Sequence, residues 1–182
     1  MKTEYEARIL EIDPKAIAER ILALGGEAHG EKFMRRYVYD IKPGDQSRWL
    51  RLRDTGREVT LTVKEIVSDA IDGTRETEVV VSDFETTNEL LGRLGFKAKS
   101  YQENRRTSFV LQGVQLEVDH WPLIPPYLEV EGESEAEVRR VAGLLGFEGE
   151  ALTGENTIKI YRRYGYELDG IAELRFPEGE EV

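Results

Sequence analysis

Six segments of this sequence repeat one device: charged or hydroxyl side chains take every second position of an extended run, and apolar ones fill the positions between. Side chains of a β-strand alternate between faces, so each run describes a strand with one polar and one apolar side. The first carries Glu4, Glu6 and Arg8 on one side. Leu50 and Leu52 oppose Arg51 and Arg53, while Val59, Leu61 and Val63 oppose Thr60, Thr62 and Lys64. Glu76 and Glu78 oppose Thr77, Val79 and Val81. Glu117 and Asp119 oppose Leu116 and Val118, and Glu129 and Glu131 oppose Leu128 and Val130. One such pair alone is ordinarily a solvated face. Six together demand cover for six apolar faces, and with that cover outside, the polar faces turn towards one another.

The pattern predicts eight strands: Thr3–Leu10, Phe33–Ile41, Arg48–Asp54, Glu58–Glu65, Thr74–Val81, Tyr101–Leu111, Val114–Trp121 and Tyr127–Gly132. Hairpin turns fit at Asp54-Thr55-Gly56 and Gln112-Gly113, and Asp72-Gly73 ends another loop. Three segments read as helices, each ending in Leu-Gly: one after Asp13-Pro14, one after Ser82-Asp83 and one after Ser134. Asp or Ser at the N-cap starts such a helix, and a glycine just past its end permits the left-handed cap that stops it. Short connections between eight strands suit a closed sheet. The expected fold is therefore α+β: a closed eight-stranded antiparallel β-barrel with amphipathic helices packed outside. One domain is expected over residues 1–176, with an acidic tail, 177–182, expected to be disordered.

Composition excludes several functions. A net charge of −11 argues against binding to nucleic-acid backbone. The absence of Cys removes disulfides, thiolate metal sites and Cys nucleophiles, and two His make an imidazole metal site or a His-based triad unattractive. No stretch approaches the roughly 18 apolar residues of a membrane span. No signal segment opens the chain, so a cytoplasmic location with no membrane partner is expected.

Carboxylates and cations facing each other in one lumen are costly unless paired or bound to ligands. The inward set Glu4, Glu6, Glu76, Glu78, Glu117, Asp119, Glu129 and Glu131 offers hard oxygen donors suited to Mg²⁺ or Mn²⁺. Arg8, Arg51, Arg53, Lys64 and one of Arg105 or Arg106 suit phosphate oxygens. Tyr101, Phe109 and Leu111 put the odd face of their strand outward, which favours Arg106 for the lumen. His120 falls opposite the lumen, and Trp49 and Trp121 read as packing or rim residues.

These residues carry a resemblance. Glu4-Tyr5-Glu6-Ala7-Arg8 resembles the N-terminal Glu-x-Glu-x-Lys signature of the CYTH superfamily, the triphosphate tunnel metalloenzymes, which includes class IV adenylate cyclases, thiamine triphosphatases and inorganic triphosphatases. The likeness continues through Leu50–Arg53, Thr60–Lys64, Arg75–Glu78, Arg106–Phe109, Glu117–Asp119 and Tyr127–Glu131, spanning about residues 1–165. It implies that Arg51, Arg53, Lys64 and Arg106 hold a triphosphate. Glu4, Glu6, Glu129 and Glu131 would bind metal, with Glu76, Glu78, Glu117 and Asp119 as further ligands or anchors for the cations. Lys159, a substrate-binding candidate, falls with Tyr161 where the family often has a C-terminal lid.

Two departures bear on function. Arg8 replaces the usual Lys; a guanidinium stays protonated, so it can stabilise developing charge but is a poor base for a hydrolytic water. Asp119-His120-Trp121-Pro122-Leu123-Ile124-Pro125-Pro126 replaces a glycine-containing connection with a proline-stiffened one. The resemblance implies a metal-dependent enzyme acting on a triphosphate small molecule. Arg8 and the similarity of Phe33–Asp40 to the cyclase-like branch favour conversion of ATP to cyclic AMP and pyrophosphate. A triphosphatase acting on tripolyphosphate, thiamine triphosphate or a nucleotide is the alternative, and a non-catalytic polyphosphate or nucleotide sensor is a third. A homodimer is compatible with each.

Overall fold

The computed structural model describes residues 1–177 and Gly179; most of the expected acidic tail, residues 178 and 180–182, lies outside the described residues. Strands β1 (Lys2–Ile9), β2 (Glu27–Asp40), β3 (Arg48–Asp54), β4 (Val59–Ile66), β5 (Thr74–Val81), β6 (Ala98–Leu111), β7 (Val114–His120) and β8 (Tyr127–Gly132) form one antiparallel sheet. Their order is β2-β3-β4-β5-β1-β8-β7-β6, and β6 pairs back onto β2 to close the barrel. In that ring of eight, β2 stands across the lumen from β1. A two-residue strand β9 (Glu173–Leu174) adds in parallel beside Tyr101 and Gln102 of β6.

Turn chemistry fixes the registers. Gln112 and Gly113 both have positive φ (51° and 83°), the conformation a tight two-residue hairpin needs, so β6 and β7 pair from Leu111–Val114 back to Arg105–His120. The joint between β1 and β5 is shorter, with three pairs from Lys2–Glu76 to Glu4–Thr74. Beyond it the edge of β1 is covered by loops: Glu6 N–H donates to Ile71 O (2.9 Å) and Arg8 N–H to Thr153 O (2.8 Å). Gly154 permits this, because a Cβ there would lie 2.4 Å from the Asp69 carbonyl oxygen.

Three helices form where the caps predict: α1 (Pro14–Ala23), α2 (Phe84–Arg93) and α3 (Glu135–Leu144). The side chains of Asp13, Asp83 and Ser134 accept first-turn N–H groups, and Gly25, Gly95 and Gly146 take φ near +90° at the far ends. Helices α1 and α3 bury Ile17, Ile21, Val138 and Val141 against Leu116, Val118, Leu128 and Val130 of the outer barrel face. Phe84 and Leu91 of α2 cover Tyr39, Leu50 and Leu52. Each such aliphatic side chain contributes roughly 1.5–3 kcal/mol when fully buried.

The structure departs from the sequence expectation in four places. β2 begins at Glu27 rather than Phe33, running through a register shift between Ala28 and Gly30 where Gly30 takes φ +83°. A fourth helix, α4 (Thr157–Arg163), packs Ile160 and Tyr161 against Trp121, Tyr127, Leu168 and Leu174. The short strand β9 is also unforeseen. Finally, helix cover is incomplete: Val79 on the outer face of β5 remains 55% exposed.

Candidate active site

The barrel encloses a cavity of about 600 Å³ whose walls differ in charge. On β2 and its two neighbours stand cations: Arg36 on β2, Arg51 and Arg53 on β3, Arg106 on β6. On β1 and its two neighbours stand carboxylates: Glu4 and Glu6 on β1, Glu76 and Glu78 on β5, Glu129 and Glu131 on β8. Alternation places them all inward, since Leu50, Leu52, Leu128 and Val130 occupy the opposite faces beneath the helices. Lys64 on β4 bridges the walls, with Nζ 2.8 Å from Glu4 and 3.7 Å from Glu76.

The cation wall is crowded. Repulsion from Arg51, together with burial and Arg106, lowers the pKa of the Arg53 guanidinium to about 10. Burial and the charges of Arg51, Arg53 and Arg106 push Arg36 well below the ordinary arginine value. Arg51 and Arg53 reach Glu78 at 3.2 and 3.6 Å. Arg106 is held differently: its fork meets both oxygens of Asp119 (2.8 and 2.6 Å), and it also reaches Glu129 at 3.0 Å. Despite burial, those carboxylates hold Arg106 firmly protonated.

The carboxylate wall is crowded in the opposite sense. Burial, with Glu129, Glu4 and Glu6 nearby, raises the Glu131 carboxyl to about 7. Burial also raises Glu4, outweighing the attraction of Lys64. Arg8 sits inside this wall, 3.0 Å from Glu6 and 2.7 Å from Glu129, and donates to the Glu155 carbonyl at 2.9 Å. Against the cost of burial, Arg8, Arg106 and Lys64 keep Glu129 ionised.

Hard oxygen donors that repel one another fit a divalent cation chemically. Among the described residues, however, no three His, Asp or Glu side chains are gathered as a ready ligand set. Glu4 is taken up by Lys64, and Glu129 by Arg8 and Arg106. Glu131 has no cation within ion-pair distance among the described residues and is the least committed of the expected ligands.

Of the residues the sequence nominates, Glu4, Glu6, Arg8, Arg51, Arg53, Lys64, Glu76, Glu78, Arg106, Glu117, Glu129 and Glu131 line the cavity. Asp119 lies fully buried behind Arg106 as its anchor. Arg105 points outward over the Phe176 ring (5.3 Å), as alternation requires. Lys159 does not line the cavity. Position 159 falls within α4, and its ammonium pairs with Asp69 in the loop over the β1 edge. Tyr161 is core, donating its hydroxyl to Pro122 O at 2.7 Å. Trp49 and Trp121 both line the cavity.

Sequence reasoning missed Arg36. It is 8% exposed, lies over the Trp121 ring at 4.5 Å, and donates to the Asn104 side-chain oxygen. Its inner-face neighbours Met34 and Val38 are apolar, so the strand lacked the charged alternation that marked the others. The usable signal was the outer face, where Tyr37 and Tyr39 fix the parity and turn residue 36 inward.

A closed barrel with helices outside and a cavity divided between cations and carboxylates defines a protein class built to enclose a small, highly charged ligand. The CYTH-domain profile matches residues 2–163, and the chain belongs to that family. No curated protein matches the sequence. Among solved structures, a conserved hypothetical protein from Pyrococcus furiosus is similar, with 23% identity and TM-score 0.73 over 86% of this chain and 99% of that one. A candidate adenylate cyclase from Vibrio parahaemolyticus has 13% identity and TM-score 0.72, covering 88% and 98% of the two chains. A candidate adenylyl cyclase from Hippeastrum, described as revealing a dominant triphosphatase activity, has 17% identity and TM-score 0.60 over 88% and 95%. At these identities the likeness shows the fold.

Proposed function

We propose that this protein is an enzyme acting on a triphosphate, with a divalent cation, inside the barrel. The observation that carries the reading is the charge division of one cavity. Guanidiniums that depress one another face carboxylates that raise one another. A polyanion relieves the first wall and a divalent cation the second, so a metal–polyphosphate complex is the ligand that satisfies both. Family membership supports it, because triphosphate tunnel proteins are generally metal-dependent.

In this reading Arg51, Arg53, Lys64 and Arg106 grip the phosphates through charge-assisted hydrogen bonds. Arg8 stabilises charge that develops on the reacting phosphoryl group, and its carboxylate neighbours keep it protonated throughout. Glu4, Glu6, Glu129 and Glu131 would hold Mg²⁺ or Mn²⁺, Glu131 being the freest to turn towards it, while Glu76, Glu78 and Glu117 fill out the inner wall. When bound, such an ion neutralises phosphate charge and lowers the barrier to attack at phosphorus.

Two reactions share this grip. In the cyclase-like one, the ribose 3′-hydroxyl of ATP attacks the α-phosphate, its proton passes to a wall carboxylate and pyrophosphate leaves; Arg8, permanently charged, cannot serve as the base for a hydrolytic water. The triphosphatase reading has its own support: the Hippeastrum neighbour is described as a cyclase candidate with dominant triphosphatase activity. Incubating the protein with ATP, thiamine triphosphate and tripolyphosphate, each with Mg²⁺ or Mn²⁺, separates them. Cyclic AMP with pyrophosphate marks the cyclase, and orthophosphate marks the phosphohydrolase. Tight binding without product from any of the three leaves the sensor.

A further inference from the structure

Every other arginine on the cation wall shares its charge with a carboxylate: Arg51 and Arg53 with Glu78, Arg106 with Asp119 and Glu129. Arg36 does not. Among the described residues no carboxylate lies within ion-pair distance of it, although it is 8% exposed and lines the cavity. Its supports are neutral: the Asn104 carbonyl oxygen and the π face of Trp121. Asn104 is itself fixed, donating to Asp119 Oδ1 at 3.0 Å. Two buried donors in this corner, Arg36 Nε and Trp121 Nε1, have no acceptor among the described residues; Arg51 Nε and Arg53 Nε share that condition, so the missing carboxylate is what sets Arg36 apart. A buried cation without a counter-charge destabilises the protein that carries it, and buried donors are ordinarily paired.

We propose that Arg36 and the indole N–H of Trp121 form an anion subsite that takes phosphate oxygens of the substrate, and that Arg36 contributes more binding affinity than any carboxylate-paired arginine of the wall. The reason is competition. A phosphate approaching Arg51 or Arg106 must share the guanidinium with a carboxylate already bonded to it, which weakens the contact and adds like-charge repulsion. At Arg36 no bond is broken and no carboxylate is crowded. The subsite lies on β2, across the lumen from Glu4 and Glu6 on β1, so a phosphate held there leaves the carboxylate wall free for the cation end of the ligand. The placement rests on the triphosphate reading of this cavity, and the role of Arg36 within it is additional.

An uncompensated arginine that binds phosphate moves stability and binding in opposite directions when removed, which a merely structural arginine would not do. Tripolyphosphate affinity is measured by calorimetry in EDTA, with thermal unfolding of the free proteins alongside, for wild type, Arg36→Gln, Arg36→Lys, Arg51→Gln and Trp121→Phe. Removing an uncompensated charge should raise the Tm of free Arg36→Gln by about 2–4 °C. The same change should weaken tripolyphosphate binding about ten- to a hundredfold, more than Arg51→Gln does. Trp121→Phe keeps an aromatic face for Arg36 and loses the indole N–H, so it should weaken binding several-fold while the protein still folds. Arg36→Lys keeps charge and loses the fork; should Arg36→Gln not fold, an unweakened Arg36→Lys refutes the subsite. Unchanged affinity in Arg36→Gln, or a fall in Tm and affinity together, overturns the proposal. A wild-type protein that binds no tripolyphosphate overturns the triphosphate reading beneath it, a result distinct from either.

Discussion

Arg36 and Arg53 are register partners across the β2–β3 ladder, and both side chains face the same cavity. Like charges directly opposite each other destabilise a strand pair. A fold that keeps this pair inside, beside Arg51 and Arg106, leaves its cation wall under mutual repulsion that an anion would relieve. The matching strain on the carboxylate wall, where Glu131 is raised to about 7, is the complement expected for a cation.

Arg53 is the most lightly held of the carboxylate-paired clamps: among the described residues its guanidinium reaches one carboxylate, Glu78 at 3.6 Å. Arg53→Ala should weaken tripolyphosphate binding and slow turnover together, each by about ten- to a hundredfold, the worth of one charge-assisted contact. Calorimetry and initial rates under one metal condition check it; a fall in rate with affinity intact would remove Arg53 from the grip.

Metal dependence should be complete. Chelator should abolish turnover, and Glu4→Gln or Glu6→Gln should do the same while far-UV dichroism and the unfolding transition show a folded chain. Full activity in chelator would contradict the role given to these carboxylates.

Arg8 should separate chemistry from binding. Its position between Glu6 and Glu129 means that Arg8→Ala strands buried carboxylates, a loss of roughly 3–5 kcal/mol in stability, so folding must be checked first. In folded protein the maximal rate should fall far more than affinity. Arg8→Lys should restore stability and binding, and should raise orthophosphate relative to cyclic AMP from ATP. Equal losses of affinity in Arg8→Ala and Arg53→Ala would make Arg8 another clamp.

The inner wall was legible in the sequence wherever both faces of a strand were distinctive. Leu50-Arg51-Leu52-Arg53 and Leu128-Glu129-Val130-Glu131 needed no structure to be turned inward correctly, and Tyr101 with Phe109 decided between Arg105 and Arg106. Arg36 was hidden because Met34 and Val38 flank it with apolar groups, so a charge wall passed for an ordinary strand. The placement of Lys159 was hidden for a different reason. Seven residues are too few for helical periodicity to declare α4, and only its tertiary pairing with Asp69 reveals where the ammonium goes. The bulge at Gly30 likewise hid the first six residues of β2, residues 27–32, because the register shift there breaks the regular alternation.

Stability of the metal-free protein should carry the signature of Glu131. Because burial and its carboxylate neighbours raise this group to about 7 from an ordinary 4.5, the folded state keeps a proton that the unfolded chain has already released. Its contribution is therefore present below pH 4.5 and is lost as pH rises towards 7, by about 3 kcal/mol in all. Urea unfolding in EDTA at pH 5 and pH 8 should show wild type losing stability relative to Glu131→Gln across that interval. A constant difference between the two proteins would mean that Glu131 ionises normally.

The division of the cavity can be tested directly by crystallography of the protein with tripolyphosphate and Mn²⁺, using the anomalous signal of manganese to locate the metal. Manganese should lie on the β5–β1–β8 wall against Glu4, Glu6 and Glu131, with phosphates against Arg36, Arg51, Arg53 and Arg106 on the opposite side. Phosphates bound outside the barrel, or manganese lodged away from those carboxylates, would contradict it.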